Sequence, residues 1–176
     1  SQLDRQVGRM LATLTGRGRT NNVFVFTATQ GMDPRKAPSG GAANSPLRED
    51  VVHVPLIVGG LLGQRRGETD GALVTTADVP ATILDALVPK TRSTPRKGSF
   101  LAQLRRAGVP HRRAIVIQGD GQQRAIRNAR YKWIVDSEDN TESLFDLQTD
   151  PFENVNLRNT QRALAIRKML SGLTQD

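Results

Sequence analysis

Side chains able to do chemistry are few and scattered in this 176-residue chain. It has two histidines, His53 and His111, and no cysteine, which removes disulfides, thiolate zinc sites and a cysteine nucleophile. Two histidines far apart leave little material for a Ser-His-Asp triad or a His-rich metal site. His53 stands in an apolar run next to Pro55. A hydrogen-bonded, partly buried structural histidine is the first reading there, and a substrate contact is the second. His111, between Pro110 and Arg112, reads as loop surface. Asp33, Glu49 and Asp50 lie in or beside a long loop, where carboxylates could bind a cation or act as a base, although solvated side chains are the plainer reading. Asp136, Glu138 and Asp139 beside Asn140 lack EF-hand spacing and read as a hairpin turn. The doublets Arg65-Arg66, Arg105-Arg106 and Arg112-Arg113 could grip sulfate or phosphate bidentately, but loops and helix ends carry such pairs as ordinary surface charge.

Charge narrows the partners. Lys plus Arg is 25 and Asp plus Glu is 17, a formal balance of +8, with 20 Arg against 5 Lys. A nucleic-acid binder gathers such charge on one stripe beside stacking aromatics. Here arginines run from Arg5 to Arg167 and aromatics make up 4% of the chain. Nucleic acid is therefore not the expected partner, while a sulfated or other polyanion stays open. No run approaches the roughly 18 apolar residues of a membrane span. No basic start followed by an apolar stretch suggests a signal peptide in this segment. The compartment is left open.

The elements that must position these residues follow from periodicity. Leu3, Val7, Met10, Leu11 and Leu14 predict an amphipathic helix over 3–15. Val23 to Phe26, four apolar residues in a row, predict a strand covered on both faces. The stretch 28–50 is rich in Gly, Pro, Ser and Asn without period, and a loop that long is usually functional or disordered. Residues 51–58 form a second strand-like run, with Pro55 confined to an edge, a bulge or the first strand position. Asp78 is expected to cap a helix with Pro80 in its first turn. Residues 89–98 are the best linker candidate, and a short helix over 100–106 follows. Runs at 114–117, 124–127, 131–135 and 143–147 are spaced as an antiparallel meander, with Tyr131 and Trp133 expected to pack on a final helix over 164–173.

Six stretches, in order, resemble the C-terminal part of the sulfatases, within the alkaline-phosphatase-like superfamily. Asp4-Arg-Gln-Val-Gly-Arg-Met-Leu11 is similar to D-x-x-V-G-R-L-L. Val25-Phe-Thr-Ala-Thr-Gln-Gly31 is similar to V-F-T-S-D-H-G. Val52-His-Val-Pro-Leu-Ile-Val58 resembles V-R-V-P-L-I-V, and the run from Leu73 to Asp85 resembles L-V-S-T-V-D-L-A-P-T-L-L-D. Arg124 to Ile134 resembles R-A-I-R-T-D-R-Y-K-Y-I, and Leu144 to Asn154 resembles L-Y-D-L-x-x-D-P-x-E.

The resemblance implies an α/β fold: part of a sulfatase-type mixed sheet with helices, followed by a small antiparallel sheet packed by a C-terminal helix. It implies two domains, 1–90 as the C-terminal half of the α/β domain and 91–176 as a small antiparallel α+β subdomain. Intact family members hydrolyse sulfate esters with a formylglycine made in C/S-x-P-x-R and a calcium ion. Neither Ser45-Pro-Leu-Arg48 nor Ser93-Thr-Pro-Arg96 has that spacing. At two family metal-ligand positions stand Thr29 and Gln30, neutral donors that weaken a calcium site. The family lysine falls on Asn44, which can donate to an anion without charge; Leu47 and Glu49 survive from that motif. Asn44, Lys36 and His53 are the remaining substrate-binding candidates, and no catalytic or metal-ligating residue and no cofactor is expected for this chain alone. The expectation is a catalytically silent, sulfatase-like fragment, partnered by an N-terminal half encoded elsewhere or by copies of itself. The alternative is a non-catalytic module that binds sulfated or other anionic ligands, or a partner chain.

Overall fold

A computed structural model describes residues 2–16, 22–31, 45–60, 65, 67–88, 94–119 and 121–174. The order of elements is α1 (Gln2–Gly16), β1 (Val23–Thr27), α2 (Glu49–Val52), β2 (Leu56–Gly60), α3 (Asp78–Leu87), α4 (Leu101–Arg105), β3 (Ala114–Gln118), β4 (Gln123–Asn128), β5 (Tyr131–Asp136), β6 (Thr141–Asp146) and α5 (Ala163–Gly172). The chain forms two compact units interleaved in sequence. One comprises 1–26, 56–69 and 77–109, and the other 27–55, 70–76 and 110–176.

In the first unit β1 and β2 form a two-stranded sheet. Gly60, at φ +78°, ends β2 so close to Asn22 that a Cβ would strike the Asn22 carbonyl oxygen. The end of β2 thus meets the start of β1, and the pair is antiparallel. Helix α1 forms where its period predicts, yet Leu3 and Met10 are more than 60% exposed. Asp78 is the first residue of α3 and not its cap; Ala77 takes the cap position without a side-chain bond. Thr82, almost fully buried, donates to the Asp78 carbonyl (2.8 Å) and accepts from the Phe100 N–H (3.0 Å), tying α3 to the entry of α4. Arg96 completes that tie through its ion pair with Asp85 (2.6 Å).

In the second unit β3 to β6 make the expected four-stranded antiparallel meander, in the order β3-β4-β5-β6. Alternation along each strand builds two cores. Ile126 and Leu144 face α5, where Ala163, Ile166 and Leu170 meet them and Tyr131, Trp133 and Leu157 pack alongside. Ala125, Ile134 and Phe145 face the other way, onto Leu47, with Val52, Ile117 and Leu147 around them. Asn140, at φ 49°, closes the β5–β6 turn, while Asp136 accepts from the Glu138 and Asp139 N–H groups. That acidic run is a hairpin turn, as its spacing predicts. The outer edge of β6 is covered: Asn156 Oδ1 accepts from Leu144 N–H, and Leu157 N–H donates to the Leu144 carbonyl.

The run 51–58 differs from expectation. Val51 and Val52 are helical, because the Arg48 carbonyl accepts both of their N–H groups (3.0 and 2.9 Å). With Val52 packed on the second core, tertiary contacts override a β-branched preference for strand. Strand β2 starts only after Pro55, which lacks the N–H a ladder requires.

Candidate functional site

The turn that carries Thr29 and Gln30 leaves β1 and is pinned at its far end. Gly31 N–H donates to the Val51 carbonyl at 2.7 Å. A Cβ at position 31 would run into the Asp50 carbonyl oxygen, so this close approach of two backbones requires glycine. The bond joins the turn to α2, two residues ahead of His53. Thr29 and Gln30 are both exposed. His53 is neither in a strand nor partly buried: its imidazole is 73% exposed, with Nδ1 3.6 Å from Glu49 Oε1. The reason is the helical turn, whose last bond runs from His53 N–H to the Glu49 carbonyl (2.9 Å) and leaves the side chain outside. Thr29, Gln30 and His53 therefore sit on two bonded segments. Lys36, Asn44 and Asp33 lie outside the described residues.

Beneath α2 lies a buried ion cluster. Arg127 on β4 and Lys132 on β5 are directly opposed across the ladder, an arrangement that like charges destabilise unless something neutralises them. Glu49 does so. Its Oε1 accepts from Arg127 Nε (3.0 Å) and ion-pairs with Arg127 Nη2 (2.9 Å), and its Oε2 accepts from Lys132 Nζ (3.1 Å). Lys132 is wholly buried and reaches a second carboxylate, Glu153 Oε1, at 2.9 Å, an ion pair without hydrogen-bond geometry. The other Glu153 oxygen accepts from Glu49 N–H at 2.7 Å. Arg48 adds a bond to the Phe152 carbonyl (2.8 Å). Glu153 holds φ 55°, a backbone region costly for a residue with a Cβ. Burial pushes the Glu49 carboxyl up, but Lys132 and Arg127, by charge and hydrogen bonding, pull it below its ordinary 4.5. Glu49, expected in a solvated loop, is instead the hub of this cluster.

No protein-family model and no curated protein matches the sequence. Solved structures do. The structure of BT4656 in complex with its substrate D-glucosamine-2-N,6-O-disulfate matches 98% of this chain at 21% identity and a TM-score of 0.77. A putative sulfatase from Bacteroides thetaiotaomicron matches 99% at 23% identity and a TM-score of 0.74. The chain has the fold of the C-terminal part of a sulfatase. It spans 37% and 40% of those two proteins. A phosphonate monoester hydrolase of Agrobacterium radiobacter is also similar, over 98% of this chain and 39% of its own length, at 20% identity and a TM-score of 0.66.

Within this sulfatase-type fold, the turn after β1 offers a hydroxyl and a carboxamide, both neutral oxygen donors. A hard divalent cation draws its affinity from charged oxygens, and among the described residues no three His, Cys, Asp or Glu side chains come together to hold a metal ion. In the first arginine doublet Arg65 is engaged by Glu68 (2.7 Å) and the Gln103 carbonyl (2.9 Å), and Arg66 lies outside the described residues. Sequence reasoning missed Lys132 and Glu153. The available signal was a lone lysine at an inward-facing strand position, between Tyr131 and Trp133, which face α5.

Proposed function

We propose that this chain is the C-terminal portion of a sulfuric ester hydrolase scaffold and does not hydrolyse a sulfate ester by itself. One observation carries the reading: a fold matched over 98% of the chain by 37% of BT4656 presents Thr29 and Gln30 at positions where the resemblance implies two metal ligands, the first of them a charged carboxylate. On this reading an N-terminal half, or a second copy, supplies the remaining strands. Such a partner would cover the exposed Leu3, Met10, Leu84 and Leu87. The test is hydrolysis of an aryl sulfate in the presence of calcium by the isolated chain. No turnover is expected; turnover by this chain alone overturns the proposal.

A second reading, a non-catalytic module for sulfated ligands, is favoured by exposed cations on and before α5. Arg158, Arg162 and Lys168 all face solvent, in a chain of net charge +8. BT4656 was solved with a disulfated glucosamine, so a sulfated sugar is the ligand class to try. Retention on a sulfated polysaccharide that weakens with salt, without turnover, is the outcome this reading expects, and a steep salt-dependent affinity for DNA would replace it.

A further inference from the structure

We infer that the buried Lys132 is a positioning residue that sets where the turn carrying Thr29 and Gln30 stands. The observations form one continuous chain of bonds. Lys132, fixed in the middle of the meander on β5, holds Glu49 Oε2 at 3.1 Å and Glu153 Oε1 at 2.9 Å. Glu49 and Glu153 are separately joined by the bond from Glu49 N–H (2.7 Å). Glu49 begins α2, whose Val51 carbonyl receives Gly31 N–H at 2.7 Å. Thus a cation on the sheet fixes the helical turn, and the helical turn fixes the loop after β1.

A purely stabilising role would not need this arrangement. Two carboxylates from segments 104 residues apart converge on a fully buried ammonium. An apolar replacement of similar volume commonly stabilises as well as a buried ion pair or better. What charge-assisted bonds add is direction: they hold a segment at a defined distance and orientation. The turn also depends on that position, because the glycine at 31 leaves no slack against the Asp50 carbonyl. The inference does not rest on the sulfated-ligand reading above, whose cations stand on and before α5.

Amide hydrogen exchange on the whole chain, without any anion, tests it. Gly31 reports the turn, and Ile134, bonded within the central strand β5, reports global opening. Lys132→Met should accelerate Gly31 exchange roughly tenfold or more beyond any acceleration at Ile134, the scale of one lost charge-assisted bond. Lys132→Met leaves Glu153 buried and unpaired, so a second variant, Lys132→Met with Glu153→Gln, removes that charge. There the unfolding midpoint should move back toward the parent while Gly31 stays selectively fast. If Gly31 and Ile134 change by the same factor in the double variant, or Gly31 does not change, Lys132 is a structural charge and not a positioning residue. Titrating the parent with inorganic sulfate and following the Arg158, Arg162 and Lys168 amides tests the sulfated-ligand reading separately, so either can fail without the other.

Discussion

Replacing Glu49 by glutamine tests the energetics of the ion cluster directly. The substitution keeps the side-chain length and one acceptor oxygen but removes the charge between Arg127 and Lys132, at 2.9 and 3.1 Å. Breaking a buried pair by neutralising one partner costs about 3–5 kcal/mol. Two features reduce that here: Lys132 keeps Glu153, and Arg127 retains 16% side-chain exposure. The expected loss is therefore about 2–3 kcal/mol, equivalent to a fall in Tm of roughly 4–12 °C for a chain of this size. Urea unfolding followed by the fluorescence of Trp133, the one tryptophan, reports on the unit concerned, because that ring packs beside the α5 core. The pH dependence supplies a second check. The Glu49 carboxyl is held below 4.5 in the folded state, so the unfolded chain takes up its proton first as pH falls. Its stabilising contribution is complete above 4.5 and is lost as pH drops through the depressed folded value. The gap between parent and Glu49→Gln should accordingly be widest near neutrality and close in acid. A variant within about 0.5 kcal/mol of the parent at pH 7, the range of an ordinary surface change, or a gap that stays constant into acid, would refute the reasoning.

Two other outcomes are expected. Leu144→Ala empties a fully buried position facing Ala163, Ile166 and Leu170, and should cost about 3–4 kcal/mol in the same urea experiment; a loss below about 1 kcal/mol would mean that α5 is not seated on that face. The isolated chain should associate as its concentration rises, because α1 presents Leu3 and Met10 at 62% and 63% exposure. Light scattering should show smaller species for Leu3→Glu with Met10→Glu, and a clean monomer of the parent at high concentration would contradict the expectation.

Local pattern made much of the fold legible. The meander could be placed because each strand is bounded by turn residues, as at Asn140, and α5 because Leu164, Ile166, Met169, Leu170 and Leu173 mark a helix, although Leu164 stays 73% exposed. Val51 and Val52 were misleading, since their β-branched side chains favour strand while the bonds that make them helical come from Arg48 and from packing on the second core. Glu49 could not be read locally at all. Its partners stand 78, 83 and 104 residues away, and an acid in a Pro- and Ser-rich stretch looks solvated until those distant residues arrive. His53 failed in the opposite sense: apolar neighbours suggested burial, but the helical turn ends there and exposes it. Thr29 and Gln30 were legible as neutral residues in the turn after β1, whereas the bond that anchors their turn runs through backbone, which side-chain pattern does not encode.

The alternation along β4 and β5 has a consequence for how the small sheet finds its alignment. Ile126 and Trp133 point to one side and Arg127 and Lys132 to the other. Sliding either strand by a single residue would invert its faces, delivering an ammonium or a guanidinium into the oily seat of α5 and an indole onto two carboxylates. An all-aliphatic sheet would forgive that slip. Here the misaligned hairpin is penalised twice, so the charges under α2 also act as a proofreader of strand alignment.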